Sequence, residues 1–144
     1  MAANTNPIFS LLGQVSSDSG TGMTNTITTA TGDYTGISAN HKLVFTADPT
    51  NGSWLSRLRF KAIGTNTASV ARIYLNNGST SATATNNSFF GEVSLPATTA
   101  TNTAATVEID YPMNIALNPG YRIYVGVATT VAAGWVCVGV GGDY

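Results

Sequence analysis

The sequence predicts an all-β protein, a two-sheet antiparallel β-sandwich, and three observations predict it. Apolar residues recur at every second position in short runs, the period of strands with one buried face. Leu58, Phe60 and Ala62, set against Arg57, Arg59 and Lys61, are the clearest case. Turn-forming clusters such as Asp48-Pro49-Thr50-Asn51-Gly52 and Asn76-Asn77-Gly78 separate the runs. No amphipathic helical stretch exceeds a turn or two. The 144 residues suit one domain with a sizeable core. About eight or nine short strands with long connecting loops point to a jelly roll. The chain divides into an N-terminal arm or linker, residues 1–23, and a sandwich, residues 24–144.

Residues 1–23 show little periodicity. Pro7, Ile8, Phe9, Leu11 and Leu12 form a short apolar knot ahead of a Ser/Gly/Thr run. The knot reads either as an arm that docks on another protein or as a segment folded back on its own sandwich; the linker-like run behind it suits the arm. Residues 24–31, Thr-rich around Ile27, make a modest edge strand. Residues 42–47 and 54–63 make clear strands. So do residues 70–75, with Ala71, Ile73 and Leu75 opposite Val70, Arg72 and Tyr74. Residues 88–95 form a strand that Pro96 stops. In residues 106–111, Val107, Ile109 and Tyr111 alternate with Thr106, Glu108 and Asp110. The last third organises the rest: residues 113–117, the turn Pro119-Gly120, the run 121–127, and the stretch 134–142 with Val136, Val138 and Val140. The expectation here is a central antiparallel pairing across Pro119-Gly120.

Only 9% of the residues are charged, against roughly a quarter in ordinary soluble domains. A surface of small neutral polar groups suits a chain packed against copies of itself or a larger assembly, because solubility usually leans on charge. A secreted β-domain is the other reading of that composition. The net charge of −1 argues against direct nucleic-acid binding. Neither a signal peptide nor a membrane-spanning run is evident, so synthesis in a cytoplasm without a membrane partner is expected. The single cysteine, Cys137, has no internal disulfide partner and reads as a buried, inert thiol.

The one histidine, His41, lies beside Lys42 at a strand start, on what reads as an exposed loop. It is far in sequence from Cys137, so the two build no metal site. Nothing resembles a nucleophile elbow. Asp33, Asp48 and Asp143 lie at turns, where an Asp normally bonds its own backbone. Glu108 with Asp110 or Glu92 fits a surface ladder better than a glycosidase pair. No catalytic residue, metal or cofactor is assigned, and the chain is not read as an enzyme.

One constellation stands out. Arg57, Arg59, Lys61 and Arg72 gather most of the positive charge, and Glu92, Glu108 and Asp110 occupy matching outward positions. Either these groups pair across strands within one sheet, or they meet across a subunit boundary and fix the register between copies. Tyr74, Phe90 and Tyr124 fall on the same polar faces and serve as interface anchors or as a sugar-stacking platform. The candidate subunit interface is therefore Arg57, Arg59, Arg72, Tyr74, Phe90, Glu108 and Tyr124.

Three stretches carry a resemblance: Trp54 to Asn66, Ala71 to Gly78, and Gly134 to Tyr144. Together with the Asn118 to Tyr121 turn they resemble small virion structural proteins of tailed bacteriophages, most like head decoration or cement proteins. The likeness spans roughly residues 54–144, and its motifs are structural. It implies a jelly-roll protein on the outer capsid surface of the virion, binding the major capsid protein and itself as a trimer to stabilise the shell. The capsid-docking arm would then be Pro7, Ile8, Phe9, Leu11 and Leu12. The alternative is a tail or fibre component with a carbohydrate-binding sandwich, in which Trp54 and Tyr124 would carry the sugar contact.

Overall fold

The computed structural model describes the backbone of residues 12–16 and, in full, residues 26–31 and 33–144. Nine strands occur among these residues: β1 (Leu12–Ser16), β2 (Thr26–Ile27), β3 (Lys42–Thr46), β4 (Ser53–Ala62), β5 (Ser69–Asn76), β6 (Asn87–Leu95), β7 (Glu108–Leu117), β8 (Arg122–Val127) and β9 (Trp135–Asp143). One 3-10 turn, Ala84–Asn86, precedes β6. The strands form a five-stranded sheet, ordered β1-β9-β4-β7 with β2 also on β9, and a four-stranded sheet, ordered β3-β8-β5-β6. The protein is an antiparallel β-sandwich.

The pairing is nested. β5 pairs β6, β4 pairs β7, β3 pairs β8 and β1 pairs β9, all antiparallel. The chain is thus one long hairpin of strand pairs, and successive pairs fall alternately on the two sheets. This order overturns the pairing expected across Pro119-Gly120. β7 lies in the five-stranded sheet and β8 in the four-stranded one, so the turn is a corner between sheets. Gly120 supplies a φ of 74° there, and the corner is pinned from outside: Gly120 N donates to Asp48 O at 3.2 Å and Ala47 N to Tyr121 O at 2.8 Å. Alternation on both sides of a Pro-Gly turn is the same for a hairpin and for a corner, so the pattern could not separate them.

The facing sides of the sheets supply the core, which includes Leu55, Leu58 and Phe60 of β4, Ile73 of β5, Ile123 and Val125 of β8, and Trp135 and Cys137 of β9. Each large aliphatic group buried here contributes roughly 1.5–3 kcal/mol relative to exposure. A bulge in β3 shifts the register between Leu43 and Phe45, which places the adjacent residues Val44 and Phe45 both in the core. Burial on β9 falls on Trp135 and Cys137, while Val136, Val138 and Val140 are half-buried. Beside them, in register, run Lys61, Arg59 and Arg57 of β4, whose aliphatic stems can cover apolar neighbours.

Two boundaries differ from expectation. Of the predicted strand over 24–31, the described residues 26–31 hold the short β2 and a single bridge from Ala30 to Val127. The strand expected to end at Tyr111 continues through Pro112 to Leu117. β7 tolerates this proline because it is the last strand of its sheet, with one side unpaired among the described residues. Pro112, a bulge between Pro112 and Ile115, and Asn114 at φ 48° blunt that edge. β1 lies inside the stretch assigned to the arm: Leu12 to Ser16 pair with Asp143 to Gly139.

Candidate functional site

The predicted charge constellation forms on the outer face of the five-stranded sheet, and its charges meet within one chain. Arg59 pairs with Glu108 at 2.9 Å and with Asp110 at 3.2 Å. Arg57 lies 3.7 Å from Asp110, and Lys61 lies 3.9 Å from Glu108. Register explains it, because Arg59 sits opposite Asp110 and Lys61 opposite Glu108 across β4 and β7. Arg72 joins Glu92 at 3.9 Å on the other sheet. Of the two readings of these charges, pairing across strands within one sheet is the one that forms, so Arg57, Arg59 and Glu108 make an internal ladder.

Tyr74 is corrected outright: it is 0% exposed and unavailable to any partner. Its face of the sheet was expected to be open, but residues 33–41 lie across it. The covering loop is tied at its start by Thr31, whose N and Oγ1 both donate to Val127 O at 2.8 and 3.1 Å. Asp33 then organises a tight turn, its Oδ1 accepting from Thr35 N and Gly36 N, each at 2.9 Å. Two β5 side chains grip the same turn. Tyr74 Oη donates to Asp33 O at 2.7 Å and Arg72 Nη1 to the same oxygen at 3.3 Å. The Arg72 guanidinium also lies 4.0 Å from the centre of the Tyr34 ring and donates to the Tyr34 hydroxyl at 3.1 Å. From β6, Asn87 Nδ2 donates to Gly36 O at 3.2 Å.

His41 closes this loop and is buried, 7% exposed, against the expectation of an exposed site. Its ring packs 4.4 Å from the Tyr74 ring centre. Its Cδ2 and the Thr31 side chain occupy the space that any side chain at position 126 would need, which is why β8 carries Gly126 there. Neither imidazole nitrogen makes a well-formed hydrogen bond, the Gly36 backbone being the nearest polar group to favour the ring's charge. Burial pushes the imidazole below its ordinary value, against the pull of the Gly36 backbone and of Asp33. For Asp33 itself, burial raises the carboxyl, but the bonds from Gly36 and Thr35 outweigh it and hold the group below its ordinary range. Burial, seconded by the Asp33 charge, pushes the Tyr74 phenol up to about 12.

Four of the exposed large apolar side chains belong to this loop and to β6. Tyr34 is 56%, Ile37 44%, Phe89 39% and Phe90 38% exposed. Tyr34 and Phe89 meet edge to face at 5.1 Å, and Phe89 lies 5.8 Å from the Tyr74 ring. A bulge in β6 shifts the register between Ile73 and Tyr74, so Tyr74 pairs with Phe89 and Phe90 is the extra residue. Strict alternation would bury one of two successive aromatics; the bulge leaves both at the surface. Sequence reasoning named Phe90 but missed Tyr34, Ile37 and Phe89. The doubled Phe89-Phe90 in a strand was the available signal.

The remaining predicted residues do not join this patch. Tyr124 is half-buried on β8, between β3 and β5. Trp54 is exposed on β4 in the opposite sheet, so Trp54 and Tyr124 form no common sugar platform. Pro7, Ile8, Phe9 and Leu11 lie outside the described residues, and Leu12 begins β1. Cys137 is buried and its thiol is pushed well up by desolvation. A polar depression of about 70 Å³ lined by Thr26, Thr28, Thr29, Asn40 and Lys42 has room for a few waters. Among the described residues no group of three or more His, Cys, Asp or Glu side chains could hold a metal ion. Comparison of the chain with known protein families, with curated proteins and with solved structures finds no match.

Proposed function

We propose that this protein is a structural subunit of a bacteriophage virion, a decoration or cement protein that assembles as a trimer on the outer surface of the head. The phage assignment rests on the resemblance of residues 54–66, 71–78 and 134–144, which supply β4, β5 and β9 with their adjoining loops. The nested strand pairing supports reading the sandwich as a jelly roll. The observation that carries an assembly role is the patch of Tyr34, Ile37, Phe89 and Phe90. It is an apolar surface at the edge strand of one sheet, unpaired on its outer side among the described residues, on a chain with little charge to keep such a surface in water.

In this reading the patch, and not the ion ladder, joins one copy to the next. Aromatic groups held by their own neighbours lose little freedom on binding and bury a large area, the properties of interface anchors. Many modest contacts repeated over a shell then add up through multivalency. The major capsid protein is the expected second partner.

Quantitative mass spectrometry of purified virions tests the reading through copy number. A ratio to the major capsid protein approaching one is expected, because only the shell offers so many equivalent positions. A ratio of a few per cent supports the tail or fibre alternative instead. Absence from the particle overturns both.

A further inference from the structure

The loop over the four-stranded sheet is fastened at Thr31, Asp33 and Gly36, and its last residue is the chain's one histidine. We propose that this loop is an acid-operated latch: protonation of His41 releases residues 31–41 from the outer face of the sheet and uncovers Tyr74 and Gly126. The inference rests on how the ring is seated. It is more than nine-tenths buried, packed on Tyr74 and into the gap above Gly126, and neither nitrogen makes a well-formed hydrogen bond, the Gly36 backbone being its nearest polar support. A neutral imidazole tolerates such a seat at modest cost. An imidazolium has two N–H donors and a full charge to satisfy, and a buried unpaired charge is far more costly than a buried neutral group.

The groups around the ring decide the sign. From the loop come Asp33 and Tyr34, with the Gly36 backbone; from β5 come Arg72 and Tyr74; from β8 come Gly126 and, opposite Tyr74 in register, Tyr124; Lys42 follows on β3. Asp33 and Gly36 favour the charged ring. Yet Asp33 Oδ1 already accepts from Thr35 N, Thr35 Oγ1 and Gly36 N, and the Arg72 guanidinium sits on the same turn. Desolvation and Arg72 both oppose protonation, and the closed loop holds the imidazole below its ordinary value. The open loop, with a solvated imidazole near its ordinary 6.5, binds the proton more tightly. Closure is therefore fully favoured above about pH 6.5 and is lost as pH falls below it. Opening exposes a strip of aromatic and small residues beside the Phe89-Phe90 edge, so acid would alter the surface next to the proposed contact. The latch itself does not depend on that contact.

The test is an NMR titration of the full chain between pH 7.5 and 5.0, a range in which Asp33 stays ionised. The resonance of the lone imidazole and the exchange rates of the Asp33 and Gly36 amides are followed together, in the wild type and in His41→Phe. The wild type is expected to lose up to about thirtyfold in protection, after correction for intrinsic exchange, the limit set by an open-state value near 6.5. His41→Phe fills the same seat without a titratable group and is expected to hold the loop equally at both ends of the range. Protection that stays constant in the wild type overturns the latch, whatever the imidazole does. Equal loosening in His41→Phe overturns it as well. Should that variant fail to fold, the wild-type titration still decides, because the latch requires opening to follow imidazole protonation.

Discussion

Asn66 shows how much a single buried side chain can hold. Its Oδ1 accepts from Ala133 N at 2.9 Å and Gly134 N at 2.7 Å, and its Nδ2 donates to Gly64 O at 3.2 Å and Gly134 O at 3.1 Å. Its backbone bridges Thr98 in both directions. Three separate loops are joined at this one amide. Asn66→Ala strands several buried polar groups and is expected to cost about 2–4 kcal/mol in denaturant unfolding. A loss under about 0.5 kcal/mol would show that water replaces the amide. Asp33 provides a second residue-scale test, by pH. Its folded value lies below the ordinary 3.8, so its stabilisation is present above 3.8 and disappears as pH falls through the lower folded value. Asp33→Asn is expected to flatten that part of the acid-unfolding curve; an unchanged acid limb would remove Asp33 from the account. Neither role was legible in the sequence. Asn66 lies in a Gly-Thr-Asn-Thr stretch that reads as an ordinary turn, and its partners are up to 68 residues away. Asp33 was read correctly as a turn-former, but nothing local announced that the turn would lie on Tyr74.

At the scale of elements, the ladder between β4 and β7 is the feature the sequence made plainest. Period-two alternation placed Arg57, Arg59 and Lys61 on one face, and β7 supplies the opposing charges in register. Exposed pairs of this kind each contribute about 0–1 kcal/mol. Glu108→Gln is accordingly expected to change stability by less than about 1 kcal/mol, with no change in oligomeric state at high or low salt. A salt-sensitive oligomer would return these charges to an interface. β1 gives the complementary test. Deleting residues 2–16 strips β9 of its pairing with Leu12–Ser16 and is expected to lower the melting temperature below that of a deletion of 2–10, which leaves β1 in place. Equal melting temperatures would show that β1 adds nothing to the sandwich. The strands themselves were largely legible because each has one apolar face, but the corner at Pro119-Gly120 and the bulges at Val44 and Phe90 were not. A bulge adds one residue to a strand without changing its composition, and the partner strand that reveals it is distant in sequence.

For the whole molecule, the sandwich follows from the sequence and the location of the proposed contact surface does not. The exposed Tyr34 and Phe89 come together from a loop and an edge strand some fifty positions apart, through Arg72 and Tyr74 on the strand between them, with Ile37 and Phe90 exposed on the same two elements. The predicted interface drew on outward-facing positions of single strands. It therefore selected Tyr74, which the loop buries, and Arg59 and Glu108, which satisfy one another. Low charge and an apolar edge are the two features that support the proposed assembly. Sedimentation velocity at micromolar concentration, comparing the wild type with Phe89→Ser/Phe90→Ser, measures that assembly directly. Assembly through this edge predicts a trimeric wild type and a folded, monomeric variant with the near-ultraviolet circular dichroism of the parent. A wild type that stays monomeric, or a double variant that still forms the trimer, would contradict it.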